Sequence, residues 1–353
     1  MKIAIYAGRC LPIHAATLAE RPLAGTETAV IRIAEQLTYR NHQVTVFTSH
    51  TAPPASTPRY LPSSAVKSKE YVDCFIAVKE WMPALFRVPC RKQCFWTGDS
   101  YEAYSNFGLG DRRVSRLIDH LLAVSQWQAD TLCGESGFPR ERAHVIGNGI
   151  HLADFLGSEP RGRKRLVYSS APTRGLALVP PLYLQLKALH PDLELHVFSG
   201  FGVYDTDRPY AASLRPRYET TLSELRELPG CYVHGNVLQK ELARELMRSA
   251  IYFYPNSFLE TSCIAAMEAM AAGCVVVTSA AGALPETVGD AGLLVPGVPG
   301  SADYQKAFVE ATHRLLSDDS LWSELSTRAR NRALDQLGWE GCADRLERLL
   351  RNG

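Results

Sequence analysis

Two glutamates, Glu260 and Glu268, stand eight positions apart in a stretch that leaves an apolar run, turns at Pro255 and continues with helical spacing. Ionised carboxylates are acceptor-only groups that suit vicinal hydroxyls, so a spaced pair fits a ligand carrying two separated diols. If the helix begins at Glu260, a rise of about 1.5 Å per residue sets the two about 12 Å apart, near the span from the hexose to the ribose of a nucleotide sugar. Thr261 or Ser262 is the expected cap. The free amides of the first turn, around Cys263 and Ile264, favour an anion such as a pyrophosphate between the two carboxylates. A lone helical glutamate is ordinarily solvated, but Glu268 lies among Ala265, Ala266, Met267, Ala269, Met270, Ala271 and Ala272, poor company for an idle charge.

The elements that must position these groups read as α/β. Short apolar runs alternate with segments of helical period from end to end, the pattern of parallel sheets with crossover helices. Expected strands are 2–7, 43–48, 72–78, 93–96, 121–124 and 144–146, then 166–170, 193–199, 231–234, 251–254, 274–278 and 292–295. Each half looks like its own doubly wound sheet, giving domains at 1–157 and 158–336. The segment 157–165, basic and without apolar period, is the expected linker, solvated in preference to touching an anionic membrane. The Pro-, Ser- and Thr-rich stretch 51–69 is expected to be a mobile surface loop. Ligands of open α/β sheets bind beyond the carboxyl ends of the strands, so functional loops from two such domains would face a shared cleft.

A chain of 353 residues exceeds what one core usually organises, which agrees with two domains. Lys and Arg number 38 against 37 Asp and Glu, so charge provides no reason to expect a nucleic acid partner. Nine scattered cysteines read as buried thiols of a reducing compartment. After Met1-Lys2 a strand begins at once, and no apolar run nears the ~18 residues of a membrane span. The expectation is a cytoplasmic protein with at most peripheral contact at the inner membrane face. Cys90 and Cys94 lack two further ligands, and Asp205-Thr206-Asp207 offers only two carboxylates, so no metal is expected.

Several motifs together resemble the GT-B superfamily of retaining glycosyltransferases, the group 1 or family 4-like enzymes. The donor-site signature is Glu260, seven intervening residues, Glu268-Ala269-Met270-Ala271-Ala272-Gly273, Val275-Val276 and Gly282-Ala283-Leu284-Pro285-Glu286. Gly25-Thr26-Glu27, Val145-Ile146-Gly147-Asn148-Gly149-Ile150 and Tyr168 to Leu176 extend the likeness over nearly the whole chain. The resemblance implies that Glu260 contacts the transferred sugar and Glu268 the ribose, and that a last helix, 337–353, crosses back to the first domain. It implies a retaining, hexosyltransferase-like enzyme that takes a UDP- or GDP-sugar and a glycan, glycolipid or small-molecule acceptor, without a metal or other cofactor. The expected donor contacts are Gly25, Thr26, Arg174, the backbone of His234, Gly235 and Val237, then Glu260, Thr261, Ser262, Cys263, Ile264 and Glu268.

Two departures mark the catalytic assignments. Many relatives carry an arginine and, five residues later, a lysine on the diphosphate, whereas this chain has Ser169 and Arg174. Arg174 is expected to neutralise the departing phosphate, with the site depending more heavily on it, on Gly25-Thr26 and on the helix start near Ser262, although a surface role is open to it. Where relatives show a histidine and aspartate, this chain has Gly98-Asp99. Asp99 then either orients the acceptor or closes its own turn, with His14 a further polar candidate and His120 and His144 structural. An epimerase or phosphorylase of the same fold and a silent donor-binding subunit are the rival readings. No Gly-x-Gly-x-x-Gly follows the first strand, which disfavours a dinucleotide dehydrogenase.

Overall fold

Val275-Val276-Val277 and Ile251-Tyr252-Phe253 illustrate why sheets form here. β-branched and aromatic residues run continuously because both faces of a parallel sheet are covered by helices. The computed structural model describes residues 1–67, 70–203 and 209–352. They form two units, Met1–Gly149 with Trp339–Gly353, and Ile150–Gly338.

In the first unit the strands are β1 (Lys2–Ala7), β2 (Gln43–Thr48), β3 (Arg59–Pro62), β4 (Val72–Val78), β5 (Cys90–Trp96), β6 (His120–Ala123) and β7 (Ala143–Val145). All pair in parallel, in the order β3-β2-β1-β4-β5-β6-β7. The second unit holds β8 (Gly162–Ser169), β9 (Glu194–Phe198), β10 (Cys231–Val233), β11 (Ser249–Tyr254), β12 (Val275–Ser279) and β13 (Gly292–Val295). Their order is β10-β9-β8-β11-β12-β13, again parallel throughout. Strand order therefore reverses between β1 and β4 in one sheet and between β8 and β11 in the other. A crevice opens at the carboxyl ends of strands where that reversal occurs.

Two segments differ from expectation. The stretch 51–69 is not simply a loop, because Arg59–Pro62 adds an edge strand to β2 and Ser63–Lys67 follows as a 3-10 turn. Tyr60 and Val66 anchor it in the core, and the flanking prolines are tolerated because an edge strand leaves one row of amides unused. The expected linker 157–165 is largely structure, since β8 already starts at Gly162 and the units divide at Gly149/Ile150 and Gly338/Trp339. Its basic residues are engaged: Arg161 donates to the Ser249 and Ala272 carbonyls, Arg163 pairs with Asp319 at 2.7 Å, and Arg165 pairs with Glu245.

The terminal helix Trp339–Asn352 belongs to the first unit, reached after the chain has completed the second. Trp339, Leu346 and Leu350 are buried against it. Lys92 and Arg91 donate to the Leu349 and Leu350 carbonyls, which satisfies acceptors at the negative end of the helix. Nine free cysteines, eight of them buried, include Cys74 and Cys94 with sulfurs 3.7 Å apart. His120 Nδ1 meets His144 Nε2 at 3.1 Å, and burial with its neighbour lowers the His120 pKa to about 4, in keeping with a structural pair. Among the described residues no helix is long and apolar enough to cross a membrane.

Candidate functional site

The reversal between β8 and β11 brings together two loops that are far apart in sequence. Beyond β8 the chain turns through Ala171 to Arg174, closed by the Arg174 amide on the Ala171 carbonyl at 3.0 Å. Gly175 follows with φ of +99°, and a Cβ there would lie 2.1 Å from the Pro255 carbonyl oxygen. Only glycine lets this turn press so closely on the loop after β11. The contact sets the Arg174 guanidinium carbon 3.4 Å from the Phe258 ring centroid and Nη1 3.7 Å from Glu260 Oε2.

Glu260 is buried and held on both oxygens. The Tyr254 hydroxyl donates to Oε1 at 2.5 Å, and Arg174 faces Oε2. Tyr254 is buried at the end of β11, and burial followed by the Glu260 charge raises its pKa, so it is a neutral donor. Ser169, in the place of the second cation, is buried with its hydroxyl unpartnered among the described residues, while its carbonyl accepts from Tyr252 at 2.8 Å.

Glu260 does not begin the helix. The helix spans Ile264–Ala271, with Cys263 at φ 63° and ψ 72° as its cap residue and no side-chain cap bond. Left-handed backbone at a non-glycine residue costs of order 1–3 kcal/mol and persists only where the surroundings impose it. The 12 Å rise therefore does not apply, since residues 260–263 form a separate loop. Ala283 donates its amide to the Glu260 carbonyl at 2.7 Å, and Thr287 donates to the Ser262 carbonyl at 2.5 Å. Neither Thr261 nor Ser262 caps the helix. Ser262 is buried with a hydroxyl unpartnered among the described residues.

Gly282, with φ of +59°, is what lets the loop sit there, since a Cβ would fall 2.5 Å from the Glu260 carbonyl oxygen and 2.7 Å from its nitrogen. Both neighbours are backbone, so neither can swing away. Gly282→Ala is expected to lose roughly 1–3 kcal/mol of stability, read as a fall in unfolding midpoint. An unchanged midpoint would mean that the 260–263 loop yields freely.

Glu268 lies inside the same helix and is 8% exposed. Gln239, at the start of the helix Gln239–Met247, donates Nε2 to Glu268 Oε1 at 2.6 Å. Burial pushes the Glu268 carboxyl up to about 8; the Gln239 bond opposes that shift and the Asp154 charge adds to it. Beyond β10, the His234 amide is already engaged by the Val197 carbonyl at 2.9 Å and its ring stacks on Phe198 at 4.5 Å. Gly235 has open space around it, and Val237 leans on the core.

In the first unit, Gly25 and Thr26 open the helix Gly25–Tyr39, and Thr26 Oγ1 lies 3.9 Å from where a Gly98 Cβ would be. Asp99 is tied into its turn. Its amide donates to Thr97 Oγ1 at 3.1 Å, its carbonyl accepts from Gln128 at 2.8 Å, and Ser105 donates to its carboxylate at 3.2 Å. His14 pairs with Glu20 at 3.2 Å and meets His50 edge-on. Glu27, not singled out from sequence as a site residue, is buried and accepts from the Leu11 amide at 3.1 Å, fixing the loop after β1. Tyr254, Phe258 and Gln239 were also missed. Only their neighbourhood to the glutamate motif could have pointed to the first two, and nothing linear ties Gln239 to Glu268. Asp205-Thr206-Asp207 lies outside the described residues, and among those described no three His, Cys, Asp or Glu side chains gather to hold a metal.

Residues 204–318 match the family model described as Glycosyl transferases group 1. The MMP alpha-(1->4)-mannosyltransferase of Mycolicibacterium hassiacum is 27% identical over 255 residues, 70% of this chain and 58% of the relative. This chain spans just over half the length of the curated relatives it matches first. Sucrose-phosphate synthase from Thermosynechococcus elongatus superposes with a TM-score of 0.72 at 18% identity, over 99% of this chain and 98% of that one. The Anabaena protein HepE, solved with UDP and glucose, also gives 0.72, at 15% identity over the full length of both. The match to the group 1 glycosyltransferase model covers residues 204–318, and the fold of the whole chain is GT-B.

Proposed function

We propose that this chain of GT-B fold is a retaining glycosyltransferase that moves a sugar from a UDP- or GDP-sugar to a hydroxyl of a glycan, glycolipid or small-molecule acceptor, without a metal. The observation that carries the reading is the junction of Arg174, Glu260, Tyr254 and Phe258 at the reversal between β8 and β11, with a buried Glu268 one helix further on. In this reading the glycosidic bond to the diphosphate breaks, the acceptor hydroxyl oxygen bonds the anomeric carbon, the diphosphate leaves with the electron pair and takes the hydroxyl's proton, and Arg174 meets its developing charge. Glu260, fixed by the Tyr254 hydroxyl, accepts from the hydroxyls of the transferred sugar, and Glu268 accepts from the ribose diol. Asp99 is proposed on the acceptor side, with Gly25 and Thr26 as amide donors to phosphate. The solved complex of HepE with UDP and glucose supports a uridine donor, and the mannosyltransferase relative supports a hexose.

Ser169 in place of a second cation favours one rival, a donor-binding subunit without turnover. A panel of UDP-, GDP-, ADP- and dTDP-sugars separates the two. Thermal stabilisation by one donor, followed by its turnover with an added acceptor, is the expected result. Stabilisation without turnover across candidate acceptors would favour the silent subunit, and no stabilisation by any donor would end the donor assignment.

A further inference from the structure

Between β11 and the helix Ile264–Ala271, one residue of the loop is fixed with particular firmness. Asn256 is fully buried; its Oδ1 accepts from the Phe258 amide at 3.0 Å and its Nδ2 donates to the Phe258 carbonyl. The Asn256 carbonyl in turn accepts from the Ser279 hydroxyl at the end of β12. Both backbone groups of Phe258 are thereby satisfied by one immobile side chain, so its half-buried ring is a platform and not a loose surface group. The Arg174 guanidinium carbon lies 3.4 Å from the centre of that ring, while Nη1 faces Glu260 at 3.7 Å. A guanidinium lying over a ring face is braced there, and its planar fork is the group that suits bidentate binding of a phosphate.

We propose that Phe258 is a positioning residue for Arg174: its ring, locked through Asn256, holds the arginine fork at the donor diphosphate, so that one braced cation serves where Ser169 supplies none. The inference rests on the donor-site reading above. It also explains why the cation is an arginine, since a lysine ammonium has no plane to stack and no fork to aim.

The test compares binding of UDP with UMP and of GDP with GMP by calorimetry, so that the gain from the second phosphate is isolated. Donor turnover is followed alongside. In Phe258→Ala that gain is expected to fall roughly 5- to 30-fold, the strength of a partly desolvated cation–ring contact. Phe258→Tyr and Phe258→Trp should restore it, whereas Phe258→Leu, which keeps apolar bulk and folding but has no ring, should not. In an Arg174→Ala background, Phe258→Ala should change nothing further. A leucine variant as good as native, or an undiminished Phe258→Ala effect without Arg174, would overturn the proposal alone. If native protein binds the diphosphates no more tightly than the monophosphates, the donor-site reading fails and takes the proposal with it.

Discussion

Arg174→Ala is expected to lower turnover by roughly 10²- to 10³-fold, the usual consequence of removing one group that meets transition-state charge, while donor affinity changes much less. The diphosphate is already an anion in the bound donor and gains its further charge only as the glycosidic bond breaks, so a cation aimed at that charge acts on the transition state more than on the bound donor. No second cation stands at position 169 to share the work, since Ser169 is buried and uncharged. The free nucleoside diphosphate, which carries the extra charge, should lose more affinity than the intact donor. Arg174→Lys should fall between native and alanine, because it keeps the charge and loses the stack on Phe258. Steady-state rates of transfer or donor hydrolysis, with product inhibition, measure all three. Unchanged turnover in Arg174→Ala would place the phosphate contact elsewhere.

Glu268→Gln should separate function from stability in opposite directions. A carboxyl whose pKa rises from an ordinary 4.5 to about 8 in the folded protein binds its proton more tightly there than in the unfolded chain. Between those two values the folded state holds more protons, so stability falls as pH rises from about 4.5 and levels off above about 8. The neutral glutamine escapes that loss and can still accept from Gln239. The variant is therefore expected to gain on native with increasing pH, on the order of 1.4 kcal/mol per unit at most, and to converge with it near pH 5. Donor affinity should move the other way, dropping roughly 10²-fold as a charged acceptor for the ribose diol is lost. Binding that ionises Glu268 should also release a proton at pH 7, visible as a heat that depends on the buffer. Denaturant midpoints across pH 5 to 8 and calorimetry in two buffers make the check. A Gln variant that binds the donor as native does would remove Glu268 from the site.

Such a trade makes physical sense of a buried glutamate in an alanine-rich helix. Its burial opposes folding when it is charged, and sites that bind ligands commonly keep groups that stability alone would replace. The alanines around it were legible in sequence as a sign that Glu268 is not a solvated charge. The direction and size of the pKa shift were not, because they depend on Gln239 and Asp154, which arrive from other elements.

The linear pattern determined the strand rhythm, the two-sheet organisation and the identity of the glutamate motif, because apolar period and turn residues act locally. It could not determine where the helix after Glu260 begins. That start lies at Ile264, after a loop held by Gly282, Ala283 and Thr287, which stand 22 to 25 residues beyond the backbone groups they meet. Nor could it show that Arg161, Arg163 and Arg165 are consumed by carbonyls and carboxylates of the second unit, or that Arg59–Pro62 forms an edge strand. Arg174 shows the division most plainly. Its charge is written at position 174, but what aims that charge is the pairing of β8 beside β11, which brings Pro255, Phe258 and Glu260 against the turn. Strand order is a property of the whole sheet, and no local stretch of residues encodes it.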